Sequence, residues 1–336
     1  LSTFAFFMAM AAIFWNATEK RVRAGWRICL YSLLWLYGPA TLNALAGDSL
    51  TLPLRNAFPM LATLIPHALG VMVRLVAGLG GAWLAARWLD RRPLAEWGFY
   101  LDRVWWADLG FGLGLGAFLM TFVFLTEWLA GWVTITQWWL VTLPGVSFLT
   151  AISGALLLFL VVGVTEELLS RGYHLRNMAE WLNYPGVGAT QALVLAWVVS
   201  SMFFGLLHVF NPNATWYSTL GLGLAGLFLG LGYVLTGRLA LPIGLHITWN
   251  FFQGNVYGFP VSGVNYVGAT MIAIRQEGPA VWTGGAFGPE AGLISVLAIF
   301  IGCGLVIAWV QWRYRRLALA TALAAYQPKI YSTEMN

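Results

Sequence analysis

An all-α polytopic membrane bundle of about eight to nine spans is the fold this sequence predicts, and three observations predict it. Hydrophobic residues make up 60% of the 336 and charged residues only 9%, against roughly one quarter charged in soluble domains. The apolar residues lie in long unbroken runs, not in the alternation a transmembrane barrel needs. Arg and Lys gather in short clusters at every second connection between the runs, as the positive-inside bias requires of a chain that crosses a bilayer repeatedly. Inside hydrocarbon every backbone N–H and C=O must be satisfied within the protein, so such runs become helices.

Taken in order, the apolar runs predict helices at about 1–15, 28–46, 61–86, 107–133, 147–169, 188–207, 217–236, 239–256 and 291–312. The basic clusters are Lys20 to Arg27, Arg87 to Arg103, Arg171 and Arg176, Arg238, and Arg313 to Arg316. They predict that these connections and the C-terminus face the cytoplasm. Nineteen Trp suit the two interfacial belts, where an amphipathic ring sits at headgroup level. The first run is short and lacks both a starting Met and a basic n-region. It is expected to be the remainder of a truncated spanning helix and not a signal peptide. With no internal repeat and no flexible linker, residues 1–336 are expected to form a single integral membrane domain with a motif-bearing core at about 147–256. The longest connection, Tyr257 to Glu290, is rich in Gly and Pro.

Several function classes are disfavoured by the same pattern. The net charge of +5 is scattered beside apolar runs and not gathered in a patch that could track phosphates, so nucleic acid is not an expected partner. Cys29 and Cys303 lie within apolar runs and define no disulfide framework. Gly221, Gly223 and Gly226 match a dinucleotide pattern by letter, but no strand precedes them. Those glycines, with Gly112/Gly116 and Gly226/Gly230, suit close helix–helix approach.

Three polar groups interrupt the apolar runs, and an ionisable side chain at membrane depth costs roughly 2.5–3.5 kcal/mol or more, so each needs a partner, a water cavity or a function. Glu166-Glu167 with Arg171 ends the fifth run, Phe204 and His208 end the sixth, and His246 and Asn250 lie in the eighth. Glu167 and Arg171 are four apart with the acid first, the favourable order for a helical ion pair, while Glu166 points about 100° away. Glu167 is therefore expected to be neutralised in place and Glu166 to be free to act as a base. His246 and Asn250 share one helical face and can aim an imidazole and a carboxamide at one point. Each group also has a bland reading: interfacial anchoring for the acids, an interhelical hydrogen bond for His246 and Asn250, a satisfied helix-end residue for His208. Arg74, His67, His174, Glu127 and Asp108 are given structural roles, with Arg74 snorkelling or pairing to a neighbouring helix. Together, two acids, two histidines and an Asn on three helices make an acid/base set with a donor pair, which hydrolysis needs.

The ordered motifs E-E-x-x-x-R, F-x-x-x-H and H-x-x-x-N, read here as Glu166-Glu167 to Arg171, Phe204 to His208 and His246 to Asn250, resemble those of the intramembrane CAAX prenyl endopeptidases of the Ras-converting type. They also resemble the bacterial relatives grouped as CAAX-protease and bacteriocin-processing proteins. The phrases Asn211-Pro212-Asn213-Ala214 and Gly254 to Pro260 add to the likeness, which covers about 90 residues; the first four spans carry no diagnostic motif. The resemblance implies a metal-independent glutamate protease in a prokaryotic plasma membrane, acting on a membrane protein or a lipidated or precursor peptide. Glu166, assisted by His208, would activate water, His246 and Asn250 would hold the oxyanion, and Glu167 and Arg171 would support the geometry. A zinc site on Glu166, His208 and His246 is the alternative chemistry. A membrane adaptor, an immunity protein or a proton-coupled transporter subunit using the same polar cluster is the alternative function.

Overall fold

The computed structural model describes residues 13–58, 61–265 and 268–326. The chain is an α-helical integral membrane protein. Among the described residues, seven helical stretches are long and apolar enough to cross a membrane. A two-residue ribbon, β1 (Trp15–Asn16) with β2 (Arg21–Val22), leads into α1 (Ala24–Ala57). Next come α2 (Leu64–Leu84), drawn out by a π turn to Asp90, and α3 (Arg103–Leu129). Strand β3 (Val133–Val141) precedes α4 (Phe148–Glu167). A π segment, Leu168–Leu175, carries α4 into α5 (Arg176–Leu182), so that this stretch is 35 residues long. Then follow α6 (Ala189–Leu206), α7 (Trp216–Thr236) and α8 (Ala240–Phe251), the last extended by a π turn to Val256. Strand β4 (Ala269–Gln276), the short α9 (Ala280–Thr283) and α10 (Leu293–Tyr314) complete the order.

The expected helices at 28–46 onward correspond to these elements, with three differences. The predicted run at 1–15 lies outside the described residues except for its last three. The run at 239–256 forms a helix and π turn of 17 residues, shorter than the roughly 20 that span a bilayer. Every residue from Ala240 to Ile247 is buried, so α8 sits inside the bundle and not against lipid. The Gly- and Pro-rich connection contains a strand: β4 pairs antiparallel with β3, Val133 opposite Gln276 and Val141 opposite Ala269. The β-branched and aromatic residues of β3 favour such a ribbon, and pairing satisfies backbone groups that a loose loop would leave open.

Glycine allows α8 to be central. A Cβ on Gly112 would collide with Leu241 O, one on Gly244 with Leu109 O, and one on Gly116 with Thr248 Oγ1 and Leu245 O. The backbones of α3 and α8 thus touch as small-residue interfaces in membranes do. The lipid-facing surface is apolar, with Leu149, Leu157, Val199 and Phe300 exposed, and exposed Trp side chains lie near both ends of the bundle, among them Trp106 and Trp312 at one end and Trp138 and Trp216 at the other.

At the end of the bundle where the basic clusters gather, several of their arginines are buried in ion pairs. Arg92 Nη2 donates to both Glu180 oxygens at 2.7 and 2.8 Å, Arg21 Nη2 donates to Glu180 Oε2 at 2.8 Å, and Arg27 Nε lies 3.3 Å from Asp90. His174, expected near the interface, is instead buried, with Nε2 2.8 Å from Ser32 Oγ. Asp108 accepts from Trp309 Nε1 and Tyr314 OH, and Glu127 from Gln276 Nε2, so both acids are tied between elements.

Candidate active site

The site begins with the end of α4. The π segment after Glu167 widens the helix at the place where its polar residues occur, a departure frequent at functional positions. The i,i+4 relation still holds across it: Arg171 Nη1 donates to Glu167 Oε1 at 2.8 Å. The same oxygen accepts from His246 Nδ1 of α8 at 2.8 Å, joining two of the three motifs. Arg171 Nη2 donates to the Gly226 carbonyl of α7 at 2.8 Å, and its guanidinium lies 4.7 Å above the Phe204 ring of α6. One ion pair therefore fastens α4, α6, α7 and α8 together. It is fully buried, which a charge tolerates only when paired and hydrogen-bonded.

The neighbouring acid has a different environment. The Glu166 side chain is 19% exposed where that of Glu167 is 0%. It lines a cavity of about 270 Å³, with His208, His246 and Asn250 also on the wall. His246 Nε2 faces Glu166 Oε2 at 3.9 Å, outside hydrogen-bond range. His208 Nδ1 lies 2.9 Å from the Phe204 carbonyl. A carbonyl only accepts, so this nitrogen carries the proton and the His208 Nε2 lone pair is left available. In His246 the carboxylate of Glu167 likewise fixes the proton on Nδ1, so Nε2 donates only when the ring holds both protons.

The cavity thus gathers Glu166, His208, His246 and Asn250, while Glu167 and Arg171 stand behind it as a buried support. Phe204, given only a packing role, is packed under Arg171 and edge-on to His246. For a metal, Glu166, His208 and His246 would have to converge. Among the described residues no three His, Cys, Asp or Glu side chains are placed to hold one ion.

Sequence reasoning missed three wall residues. Arg74 of α2 lines the cavity, where snorkelling or an ion pair was expected. Ser262 and Glu290, from the long connection, also face it: Ser262 N–H donates to Glu290 Oε2 at 2.7 Å and Ser262 Oγ to Oε1 at 3.2 Å. Asn211 Nδ2 donates to the Ser262 carbonyl at 2.9 Å, tying the loop after His208 to the same roof. Burial pushes the Glu290 carboxyl above the ordinary carboxylate range, opposed by the hydrogen bonds from Ser262. The signal for Glu290 was an acid at the end of the apolar, Gly/Pro-rich stretch that follows Glu277.

Residues 147–252, the segment that carries all three motifs, match the family model described as Type II CAAX prenyl endopeptidase Rce1-like. The family the motifs resemble is thus the family this segment matches, and it is a family of proteases. No curated protein and no solved structure matches the chain.

Proposed function

We propose, for a chain whose residues 147–252 match an Rce1-like endopeptidase, that it is a metal-independent intramembrane glutamate endopeptidase whose catalytic group is Glu166. The observation that carries this reading is the division between the two adjacent acids. Glu167 is buried and committed to Arg171 and His246, while Glu166 faces the cavity with no hydrogen bond of its own among the described residues.

In the proposed reaction Glu166, assisted by the free Nε2 of His208, takes a proton from water, and the hydroxide oxygen bonds to the peptide carbonyl carbon. The negative charge that forms on the carbonyl oxygen is met by Asn250 Nδ2 and by His246 Nε2, the doubly protonated ring being balanced by Glu167. One such donor is worth on the order of 3–4 kcal/mol. The C–N bond then breaks, and the proton held by Glu166 passes to the leaving nitrogen, so that the elements of water are divided between acid and amine. The apolar cavity wall, with Leu222, Phe228, Leu229 and Leu245, favours an apolar substrate segment. That supports a membrane-associated protein or a lipidated or precursor peptide as substrate. We further propose that the basic connections and the C-terminus face the cytoplasm of a prokaryotic cell, residues 1–336 forming a single membrane domain.

The test is a comparison of peptide termini in cells carrying wild type, Glu166→Ala or His208→Ala. A set of new termini should depend on the wild-type protein and vanish in both variants. Termini that depend on the protein yet persist in both would defeat the catalytic assignment. They would favour the adaptor or immunity reading.

A further inference from the structure

The long connection between α8 and α10 meets the cavity with a turn whose first central residue is out of its preferred conformation. Val261 and Val264 exchange both backbone hydrogen bonds at 2.9 Å, so Ser262 and Gly263 are the two central residues of a hairpin turn. Both are left-handed, Ser262 at φ 47° and Gly263 at φ 82°. Two-residue turns with positive φ at both positions favour Asn-Gly or Gly-Gly. Gly263 fits that rule. Ser262 carries a Cβ that disfavours the left-handed region, and such a residue persists where its surroundings hold it there.

The holding contacts come from one side chain. Glu290 Oε2 accepts from the Ser262 N–H at 2.7 Å, and Oε1 accepts from Ser262 Oγ at 3.2 Å. Glu290 is itself fixed, since its carbonyl oxygen would collide with a Cβ on Gly221 of α7. From the turn the linkage passes to the loop after α6. Asn211 Nδ2 donates to the Ser262 carbonyl at 2.9 Å, and a Cβ on Gly263 would collide with Pro212 O. Asn211 N–H in turn donates to the His208 carbonyl at 3.0 Å. His208 depends on this loop because α6 ends at Leu206, before the histidine. Glu290, Ser262, Asn211 and His208 all line the cavity that holds Glu166. Ser262 and Glu290 lie outside residues 147–252, so the linkage belongs to this chain's own connection and not to the segment that matches the family.

We propose that Glu290 is a positioning residue for hydrolysis: its two hydrogen bonds hold Ser262 in the left-handed turn, and through Asn211 that turn fixes His208 on the cavity wall it shares with Glu166. Glu290 acts through His208 and not on the reacting atoms. This inference rests on the protease reading above.

The experiment uses the full chain in nanodiscs and a fluorogenic peptide spanning a bond found in the termini comparison, with kcat and KM measured separately. Glu290→Ala should lower kcat by about tenfold to a hundredfold and change KM by less than about twofold, as displacement of a reacting group by an ångström does. Adding Ser262→Gly to Glu290→Ala should recover most of the lost kcat, because glycine takes the left-handed conformation unaided. Glu290→Gln, whose amide oxygen still accepts from the Ser262 N–H, should fall between wild type and Glu290→Ala. In a His208→Ala background Glu290→Ala should cause no further fall, since both act through one group. Thermal unfolding and elution are recorded for every variant; if Glu290→Ala does not elute as a single species, Glu290→Gln with and without Ser262→Gly carries the comparison. A kcat within twofold of wild type, a loss that glycine does not restore, a rise in KM alone, or a full further loss in the His208→Ala background overturns this inference and leaves the protease reading intact. A wild-type protein whose cleavage does not require Glu166 defeats the protease reading, and this inference with it.

Discussion

Replacing Glu167 with Ala should unfold the site before it changes any chemistry. The structure supplies the magnitude. Glu167 Oε1 accepts from Arg171 Nη1 and from His246 Nδ1, each at 2.8 Å, and the carboxylate is fully buried. The variant leaves a buried guanidinium held only by the Gly226 carbonyl and the Phe204 face. Breaking a buried pair by removing one partner costs about 3–5 kcal/mol. The lost His246 bond belongs to the same network and is not added separately. Glu166→Ala removes a partly exposed side chain whose nearest opposite partner lies at 3.9 Å, so its cost should stay within about 1 kcal/mol. For a chain of this size that difference corresponds to a Tm separation on the order of 3–6 °C. Thermal unfolding in detergent, followed by Trp fluorescence, would read it. Glu167→Leu with Arg171→Met should regain part of the stability, since a buried pair can be exchanged for apolar packing, without regaining cleavage. Equal Tm values for Glu166→Ala and Glu167→Ala would refute the division of roles between the two acids.

Three further outcomes are expected. Cleavage should be unaffected by EDTA or 1,10-phenanthroline; a loss restored by added zinc would revive the metal alternative. Gly116→Val should press into Leu245 O and Thr248 Oγ1, cost about 1–3 kcal/mol by overpacking, and lower cleavage by displacing His246 and Asn250 on the same helix, as a Tm scan and a rate measurement would show. Glu290 has a folded pKa raised above its unfolded value, so its native contribution is greatest at low pH and is lost as pH rises through the folded value. Glu290→Gln should therefore gain stability relative to wild type between pH 4 and pH 8, and a difference that does not change with pH would contradict the buried placement.

Much of this could be read from residues alone because lipid simplifies the rules. Long apolar runs dictated helices, and ionisable residues inside them marked the site, with Glu167 and Arg171 paired across one turn as spacing requires. Which helices meet was not legible, since periodicity carries no information on neighbours. The contact of α3 with α8 depends on Gly112, Gly116 and Gly244, and only the fold shows that they face each other. The π segment at Leu168–Leu175 and the buried position of α8 have no hydropathy signature. The β3–β4 ribbon joins strands more than a hundred residues apart, so its pairing was invisible locally. Arg74, Ser262 and Glu290 went unrecognised for the same reason: each is a single polar residue whose meaning lies in the cavity it faces.

The account depends on Glu166 as the group that activates water. The direct measurement is the hydrolysis rate of purified protein in nanodiscs, wild type against Glu166→Gln, on a peptide bond identified from the termini comparison. A fall of about 10²–10⁴ with unchanged thermal unfolding is predicted. A Glu166→Gln protein that cleaves within a few-fold of wild type would contradict it.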